Sequence, residues 1–474
     1  MTEWQKILPE RCLPGLIKKN AHACVLSTLK SAIKGRLRRL GRKSGWIIID
    51  AMSEANKLSL ADKLKSLGVK QGLTDVPKTR ALKGFEIDRV VNGAYRPGHA
   101  GETFVAVQTF EAEYRYGQVA IQPDVPLDVL AAWAREPRFL ELPLESYAFL
   151  DAETSGLAGG TGTYAFLVGV GRFMDGAFHL EQFFMRDPAE EATMLEALAE
   201  YLAPSKALVT FNGKAFDAPL LVTRYSLHNI PIPFKNYAHL DLLPLARRLW
   251  RDRLPSRALK YLEENVLSAA RTVEEVPGYE IPYLYFDFLR SRDARPLKGV
   301  FYHNAMDVVA MAGLLSHVTG ILANPFGEAV EHGLDVVALA KLFEDLGQSD
   351  TAARLFERGL EMELPEADFW LAIQRLAHLE KRRGDLQTAA GMWERAAARG
   401  HIYANVELAK YHEHQRRDYA EALKWTKSAK ELAGTLDIPR YIYNHWMEEL
   451  NRREERLDEK IQKRSNNKPK ESSS

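Results

Sequence analysis

A chain of 474 residues exceeds one ordinary hydrophobic core, so about three structural units are expected. Its 46% hydrophobic and 27% charged content is that of a globular protein and excludes a disordered or fibrous chain. A net charge of +1 gives the whole molecule no long-range pull on a polyanion. The charge is uneven, however: Lys18, Lys19, Lys30, Lys34, Arg36, Arg38, Arg39, Arg42 and Lys43 follow one another with no acid between. Such a run forms either a phosphate-contacting stripe or a solvated helix face. Cys12 and Cys24 lack the spacing of a zinc site or a disulfide framework. With no signal peptide visible, they point to a reducing cytoplasm.

Residues 1–83 form a basic region without clear periodicity. In 84–142, short β-rich pieces such as Thr103 to Thr109 alternate with Gly and Pro, and a helix is predicted from about Leu127 to Arg135. In 143–328, Tyr147 to Asp151, Tyr164 to Gly171 and His179 to Phe184 read as three strands in an antiparallel meander. A helix over about Glu190 to Leu202 leads into the apolar strand Ala207 to Phe211. The order β-β-β-α-β places this part in the α/β class. The apolar stretch Val308 to Ala323 contains His317 and reads as a buried helix rather than a membrane span.

From 329 to 450 the composition turns to Ala, Leu, Glu and Arg with helical periodicity. Phe356, Trp393 and Trp425 recur at intervals of 37 and 32 residues, bracketing the roughly 34 of a tetratricopeptide repeat. A short all-α helical-repeat module is expected, with an ordinary helical bundle as the alternative. Residues 451–474 read as a charged helix end and a disordered tail.

Three segments carry acids in patterns suited to chemistry. In Leu150-Asp151-Ala152-Glu153-Thr154 the acids stand at i and i+2, on one face of an extended strand. Two like charges crowded there are costly unless a cation compensates them. Asp217 follows an apolar strand and the turn Asn212-Gly213-Lys214, where a helix begins. Asp307 lies in His303-Asn304-Ala305-Met306-Asp307, and His303 precedes it by one helical turn. Carboxylates converging on one point are what phosphodiester cleavage with two divalent ions needs. Taken singly, each signal is weak: Asp-x-Glu is common at solvated strand ends, and Asp217 alone reads as a helix cap.

Phe149-Leu-Asp-Ala-Glu-Thr-Ser-Gly156 resembles the first exonuclease motif of the DnaQ-like (DEDD) 3′–5′ exonuclease superfamily. Phe211-Asn-Gly-Lys-Ala-Phe-Asp217 resembles the second and His303-Asn-Ala-Met-Asp307 the third. Within that superfamily the chain is most similar to the YprB-type RNase H-like group, which the Gly-rich loop Leu157 to Tyr164 and the segments His239 to Asp241 and Ile281 to Phe286 also resemble. The resemblance covers about residues 84 to 320. It implies an RNase H-like mixed sheet flanked by helices, and two Mg2+ or Mn2+ ions on Asp151, Glu153, Asp217 and Asp307. It also implies 3′–5′ hydrolysis of single-stranded ends of DNA or RNA. The assisting residue in these nucleases is usually a Tyr four before the last Asp or a His five before it. Here His303 stands at four and Tyr302 at five; His303 is the expected assisting residue, because the four-residue spacing puts it on the same helical side as Asp307, with Tyr302 as the alternative.

The Gly-rich loop joins two strands rather than a strand and a helix, which argues against a nucleotide-cofactor fingerprint. Thr154, Ser155 and Gly156 at its start, with Asn212 and Lys214 in the second turn, are the expected substrate contacts. Asp241 either caps the helix after it or supports the site from behind. Arg247, Arg248, Arg251, Arg253, Arg257 and Lys260 suggest a groove tracking a nucleic-acid backbone, or a solvated helix face. The competing reading is a non-catalytic adaptor that binds nucleic acid and holds a protein partner on its repeats. A structure-selective endonuclease with the same metal site stands between the two.

Overall fold

A computed structural model describes residues 84–111, 113–156 and 162–466, all within one compact unit. The basic run from Lys18 to Lys43, both cysteines, residues 157–161 of the Gly-rich loop and the tail beyond Asn466 lie outside the described residues.

Seven strands form a mixed sheet in the order β1-β2-β7-β6-β5-β8-β9. They are β1 (Gly93–Gly98), β2 (Gly101–Phe110), β5 (Tyr147–Thr154), β6 (Ala165–Met174), β7 (Ala177–Phe184), β8 (Ala207–Thr210) and β9 (Ala238–Asp241). A small hairpin of β3 (Arg115–Tyr116) and β4 (Val119–Ala120) stands apart from it. β5, β6 and β7 form the antiparallel meander read from the sequence, and β8 and β9 add to β5 in parallel. The sheet continues past β7, because β2 pairs antiparallel with it from Phe104↔Phe184 to Phe110↔Phe178. Of the β-rich pieces between residues 84 and 142, β1 and β2 are thus part of the main sheet, and only β3 and β4 form the separate hairpin.

The period of two along β5 divides the protein into two cores. Tyr147 and Phe149 pack on one face with residues 305–322, whereas Ala148 and Leu150 pack on the other with Met194, Leu198, Tyr225 and Tyr285. The same alternation directs Asp151 and Glu153 to the Phe149 face. That face is covered by the 27-residue helix Leu297–Ala323, the long helix below. By length and composition the long helix could cross a membrane, yet 78% of its most apolar window is buried inside the protein.

Two glycines explain how closely the long helix approaches. A Cβ on Gly169 of β6 would meet Asn304 Oδ1 at 2.2 Å, and one on Gly171 would meet Phe178 Cζ at 2.1 Å and Val308 Cγ1 at 2.8 Å. Any larger residue would push the helix off the sheet.

After the long helix come three helical hairpins, Gly333–Asp345 with Ser349–Glu361, Glu366–Arg383 with Leu386–Ala397, and Ile402–Tyr411 with Tyr419–Thr435, and then the helix Arg440–Asn466. Each helix packs on the next in sequence. Phe356, Trp393 and Trp425 each lie midway along the second helix of their hairpin, so the recurrence of rings marks structurally equivalent positions. Trp393 and Trp425 belong to one apolar cluster. The first hairpin shares a core with the sheet through Val336, Leu339, Leu355 and Phe356. Two of the basic residues expected to line a groove, Arg248 and Arg253, contribute to this junction. Arg248 pairs with Asp345 at 2.5 Å and Arg253 with Asp335 at 2.8 Å, bracing the helix Leu242–Trp250 against Gly333–Asp345.

Candidate active site

Three acids reach one end of the sheet because three parallel strands end there. β5 delivers Asp151 and Glu153, and a register shift between Glu153 and Thr154 marks where pairing with β6 breaks. β8 ends at Thr210, and the turn that follows holds Asn212 in the left-handed region, φ 68°, before the helix Asp217–Leu227 starts. Asp241 closes β9 opposite Thr210. Its carboxylate accepts from the backbone N–H of Asn212 at 2.7 Å, of Lys214 at 3.2 Å and of Leu243 at 3.1 Å. Asp241 therefore both caps the helix after it and pins the turn that presents Asp217.

The long helix delivers the rest. Asn304 is buried and fully engaged: its Nδ2 donates to Asp151 Oδ2 at 2.8 Å, while its Oδ1 accepts from Gln182 Nε2 at 2.9 Å. That relay fixes Asp151 against the sheet. One residue earlier, His303 turns Nε2 toward Glu153 Oε1 at 4.0 Å and Asp307 Oδ2 at 3.7 Å. Its Nδ1 lies 3.0 Å from Glu275 Oε1 and 3.1 Å from the Val276 carbonyl oxygen. Tyr302 points elsewhere, its hydroxyl accepting from the Thr272 N–H at 2.8 Å. Of the two candidates, His303 is the one among the carboxylates.

The crowding bears on the charge of each acid. Burial raises the Asp151 carboxyl well above its usual range, and the charges of Asp307, Glu153 and Asp217 add to it, against the Asn304 hydrogen bond. Glu153 is raised by burial and then by Asp307 and Asp217, with Arg271 opposing. Asp217 is pushed up to about 7 by burial, its own backbone N–H pulling the other way and Asp241 and Asp307 adding to the rise. Such mutual elevation requires the acids to share one low-dielectric pocket.

Sequence reasoning missed Arg271 and two acids around it. Arg271 is 3% exposed. It donates to Asp307, to Glu263 at 2.8 Å through Nε and to Glu275 at 3.0 Å. Glu263 in turn accepts from the Tyr116 hydroxyl at 2.6 Å. Burial works against the guanidinium charge, but Glu263 and Asp307 outweigh it and hold its pKa above normal. Arg271 and Glu275 lie on an irregular stretch between helices and Glu263 in a short π-helical turn, where no periodicity flags them.

The expected substrate contacts lie at the end of β5 and in the turns that follow β5 and β8. Thr154 Oγ1 donates to the Gly156 carbonyl at 3.1 Å, and Ser155 Oγ accepts from the Tyr164 N–H at 2.9 Å, closing the base of the Gly-rich loop. Lys214 is exposed, Asn212 half-buried. Among the described residues, no three His, Cys, Asp or Glu side chains close into a ready metal cage. The donors themselves are hard carboxylate oxygens, and Glu275 Oε2 is buried without a partner. Oxygen donors carrying uncompensated charge suit a divalent cation of the Mg2+ or Mn2+ kind in chemistry, with Asp307 held meanwhile by Arg271.

Known proteins share these features. A family model described as RNase_H superfamily matches residues 148–319, the span from β5 to the long helix. The uncharacterized protein YprB of Bacillus subtilis (strain 168) is 33% identical over 281 residues, 58% of this chain and 67% of that protein. A family B DNA polymerase from the hyperthermophilic archaeon Pyrobaculum calidifontis aligns with 44% of the chain at 15% identity and a TM-score of 0.29. The chain spans only 30% of that polymerase, and so loose a likeness carries no weight. By sequence, meander topology and site-bearing helix together, the chain belongs to the RNase H superfamily, in the YprB-type group.

Proposed function

We propose that this chain is a metal-dependent nuclease of the DEDD type, hydrolysing phosphodiester bonds at single-stranded 3′ ends of DNA or RNA. The observation that carries the reading is the convergence of Asp151, Glu153, Asp217 and Asp307 on one buried pocket beside His303, where burial first and the neighbouring charges second raise Asp151, Glu153 and Asp217. So costly an arrangement is maintained where function uses the stored charge.

Asp151, Glu153, Asp217 and Asp307 are the residues to hold two divalent ions, whose chemistry at the scissile phosphate is Lewis acidity and charge neutralisation. His303 is the proton acceptor for the attacking water. Glu275 and the Val276 carbonyl engage Nδ1, which leaves Nε2 free to accept. Nε2 faces Asp307 Oδ2 at 3.7 Å and Glu153 Oε1 at 4.0 Å, beside two of the carboxylates that would hold the ions. Thr154, Ser155, Gly156, Asn212 and Lys214 contact the substrate backbone. The stack of helical hairpins, read as tetratricopeptide-like, is the part suited to a protein partner. We place the chain in the cytoplasm on its cysteine usage.

Digestion of end-labelled and circular single strands with Mn2+, comparing wild type with Asp151→Ala, tests this. Loss of label from linear strands only, abolished in the variant, is expected. Circles cut at the same rate would replace the exonuclease with an endonuclease, and no Mn2+-dependent loss of either substrate would leave the adaptor reading.

A further inference from the structure

The helix Ile281–Ser291 carries aromatic residues on two sides. On its core side Ile281, Tyr285 and Phe288 are buried, and the Tyr285 ring stacks on Phe166 at 4.0 Å. On the other side Tyr279, just before the helix, Tyr283 and Phe286 are 74%, 71% and 41% exposed. Tyr283 and Phe286 stand at i and i+3 and share the outer side of the helix, and Tyr279 lies in the turn that leads into it. A helix of this kind normally turns charged and polar residues to water on that side. Scattered exposed apolar residues need no explanation, but two large rings on one helix face with a third in the turn leading into it are a patch.

The patch begins at the wall of the carboxylate pocket. Gly278, directly before Tyr279, lies so close to His303 that a Cβ there would stand 3.9 Å from the imidazole Cε1 and 4.0 Å from Nε2. The carbonyl of Val276, two residues earlier, faces His303 Nδ1. Whatever lies along the patch therefore ends beside the residue assigned to the attacking water. At the far end, Arg290 follows Phe286 by one turn, ion-paired with Asp287.

We infer that Tyr279, Tyr283 and Phe286 form a stacking platform that holds the unpaired bases of a nucleic-acid strand as its end enters the candidate active site. Every base has a π face, so a row of rings binds a strand without reading its sequence. Bases already paired in a duplex have no face to offer, and the platform thus selects single strands. Exposed Glu280, between Tyr279 and the start of the helix, repels phosphates, which leaves the rings to the bases. The inference rests on the nuclease reading for what happens at the platform's end, but strand binding itself is measured without cleavage.

The test uses the full chain in EDTA, with fluorescence anisotropy of a labelled oligothymidylate and of an abasic strand of the same length. Wild type is expected to bind the thymidylate more tightly than the abasic strand. Tyr279→Ala with Tyr283→Ala should weaken thymidylate binding by about tenfold per ring, leave the abasic strand within about twofold, and be restored by Phe at both positions. Both rings are mostly exposed, so unchanged thermal unfolding of the Ala variant is the check on folding. Equal losses on both strands, or no loss on either, would overturn the platform. So would self-association of the wild type that the Ala variant lacks without any change in strand binding. If the base-dependent loss appears but Mn2+ produces no hydrolysis, the platform stands and the nuclease reading fails.

Discussion

The buried guanidinium of Arg271 is hydrogen-bonded to the carboxylate of Asp307, the one acid of the four that the long helix supplies. A cation is thus already built into a pocket whose other acids repel one another, and it holds the oxygen that a divalent ion would need. On the proposed nuclease reading, Arg271 and a divalent ion would compete for Asp307.

Arg271→Gln separates the two roles. Without metal it leaves Glu263, Glu275 and Asp307 facing each other, and breaking a buried pair by removing one partner costs about 3–5 kcal/mol. With Asp307 released, Mn2+ affinity is expected to rise severalfold. Urea unfolding in EDTA and calorimetric titration with Mn2+ read the two effects. A variant that binds Mn2+ more weakly than wild type would show that Arg271 supports the metal site instead of competing with it.

Asp217 gives the site a pH dependence of definite sign. Its carboxyl is raised from 3.8 to about 7 by burial first, then by Asp241 and Asp307 against its own N–H. For a folded pKa above the unfolded one, the contribution to stability is fully present below about 4 and is lost as pH rises through about 7. Asp151 and Glu153 shift in the same direction. The metal-free protein should therefore lose stability from pH 5 to pH 8, and Mn2+ should raise Tm more at pH 8 than at pH 5.5. Asp217→Asn flattens the slope. A metal-free Tm that climbs over this interval would contradict the crowding of the acids.

The sequence already carried the meander, the strand that follows the helix and all four acids, because strand period and helical turn are local properties. Asp151 and Glu153 share a face by the same rule that puts Phe149 there, and His303 and Asp307 share one by helical spacing. What could not be read depends on packing between distant segments. Nothing local in Arg271 or Glu275 says that they meet His303 and Asp307 on another element, and Arg248 and Arg253 look like part of a nucleic-acid groove until Asp345 and Asp335 stand opposite them. The pairing of β2 with β7 was hidden for the same reason, since register between strands so far apart in the chain leaves no local trace.

Gly169→Ala tests the link between the sheet and Asp151. The glycine pairs directly with Asp151 across β5 and β6, and its missing Cβ makes room for the Asn304 amide. The backbone accepts alanine there, so the damage comes only from the clash with Asn304 Oδ1 and, at 3.1 Å, Val308 Cγ2. Displacing Asn304 removes its hydrogen bonds with Gln182 and Asp151 together. A destabilisation of about 2–3 kcal/mol and at least a tenfold loss of hydrolysis are expected. Chemical denaturation and an oligonucleotide assay measure them, and a variant as stable and active as wild type would mean that the long helix does not fix Asp151.

Glu275 acts through His303, and two substitutions separate its hydrogen bonds from its charge. Oε1 is the atom that lies against His303 Nδ1 and accepts from Arg271, while Oε2 is buried without a partner. In Glu275→Gln the amide oxygen can keep both contacts and the NH2 group takes the empty position, so the imidazole stays aimed at Glu153 and Asp307 and only a negative charge is lost. Glu275→Ala loses orientation as well. Supporting residues of this kind change rates by about 10–100-fold. The expected result is a kcat reduced about tenfold in the Gln variant and about 100-fold in the Ala variant, with KM for an oligonucleotide within about twofold in both. The charge of Glu275 also raises Glu153, so the Gln variant should need less metal saturation at low pH to reach its own maximum. Equal kcat values for the two variants would mean that the hydrogen bond to Nδ1 does not orient His303, and a change confined to KM would move Glu275 from positioning the imidazole to binding the strand.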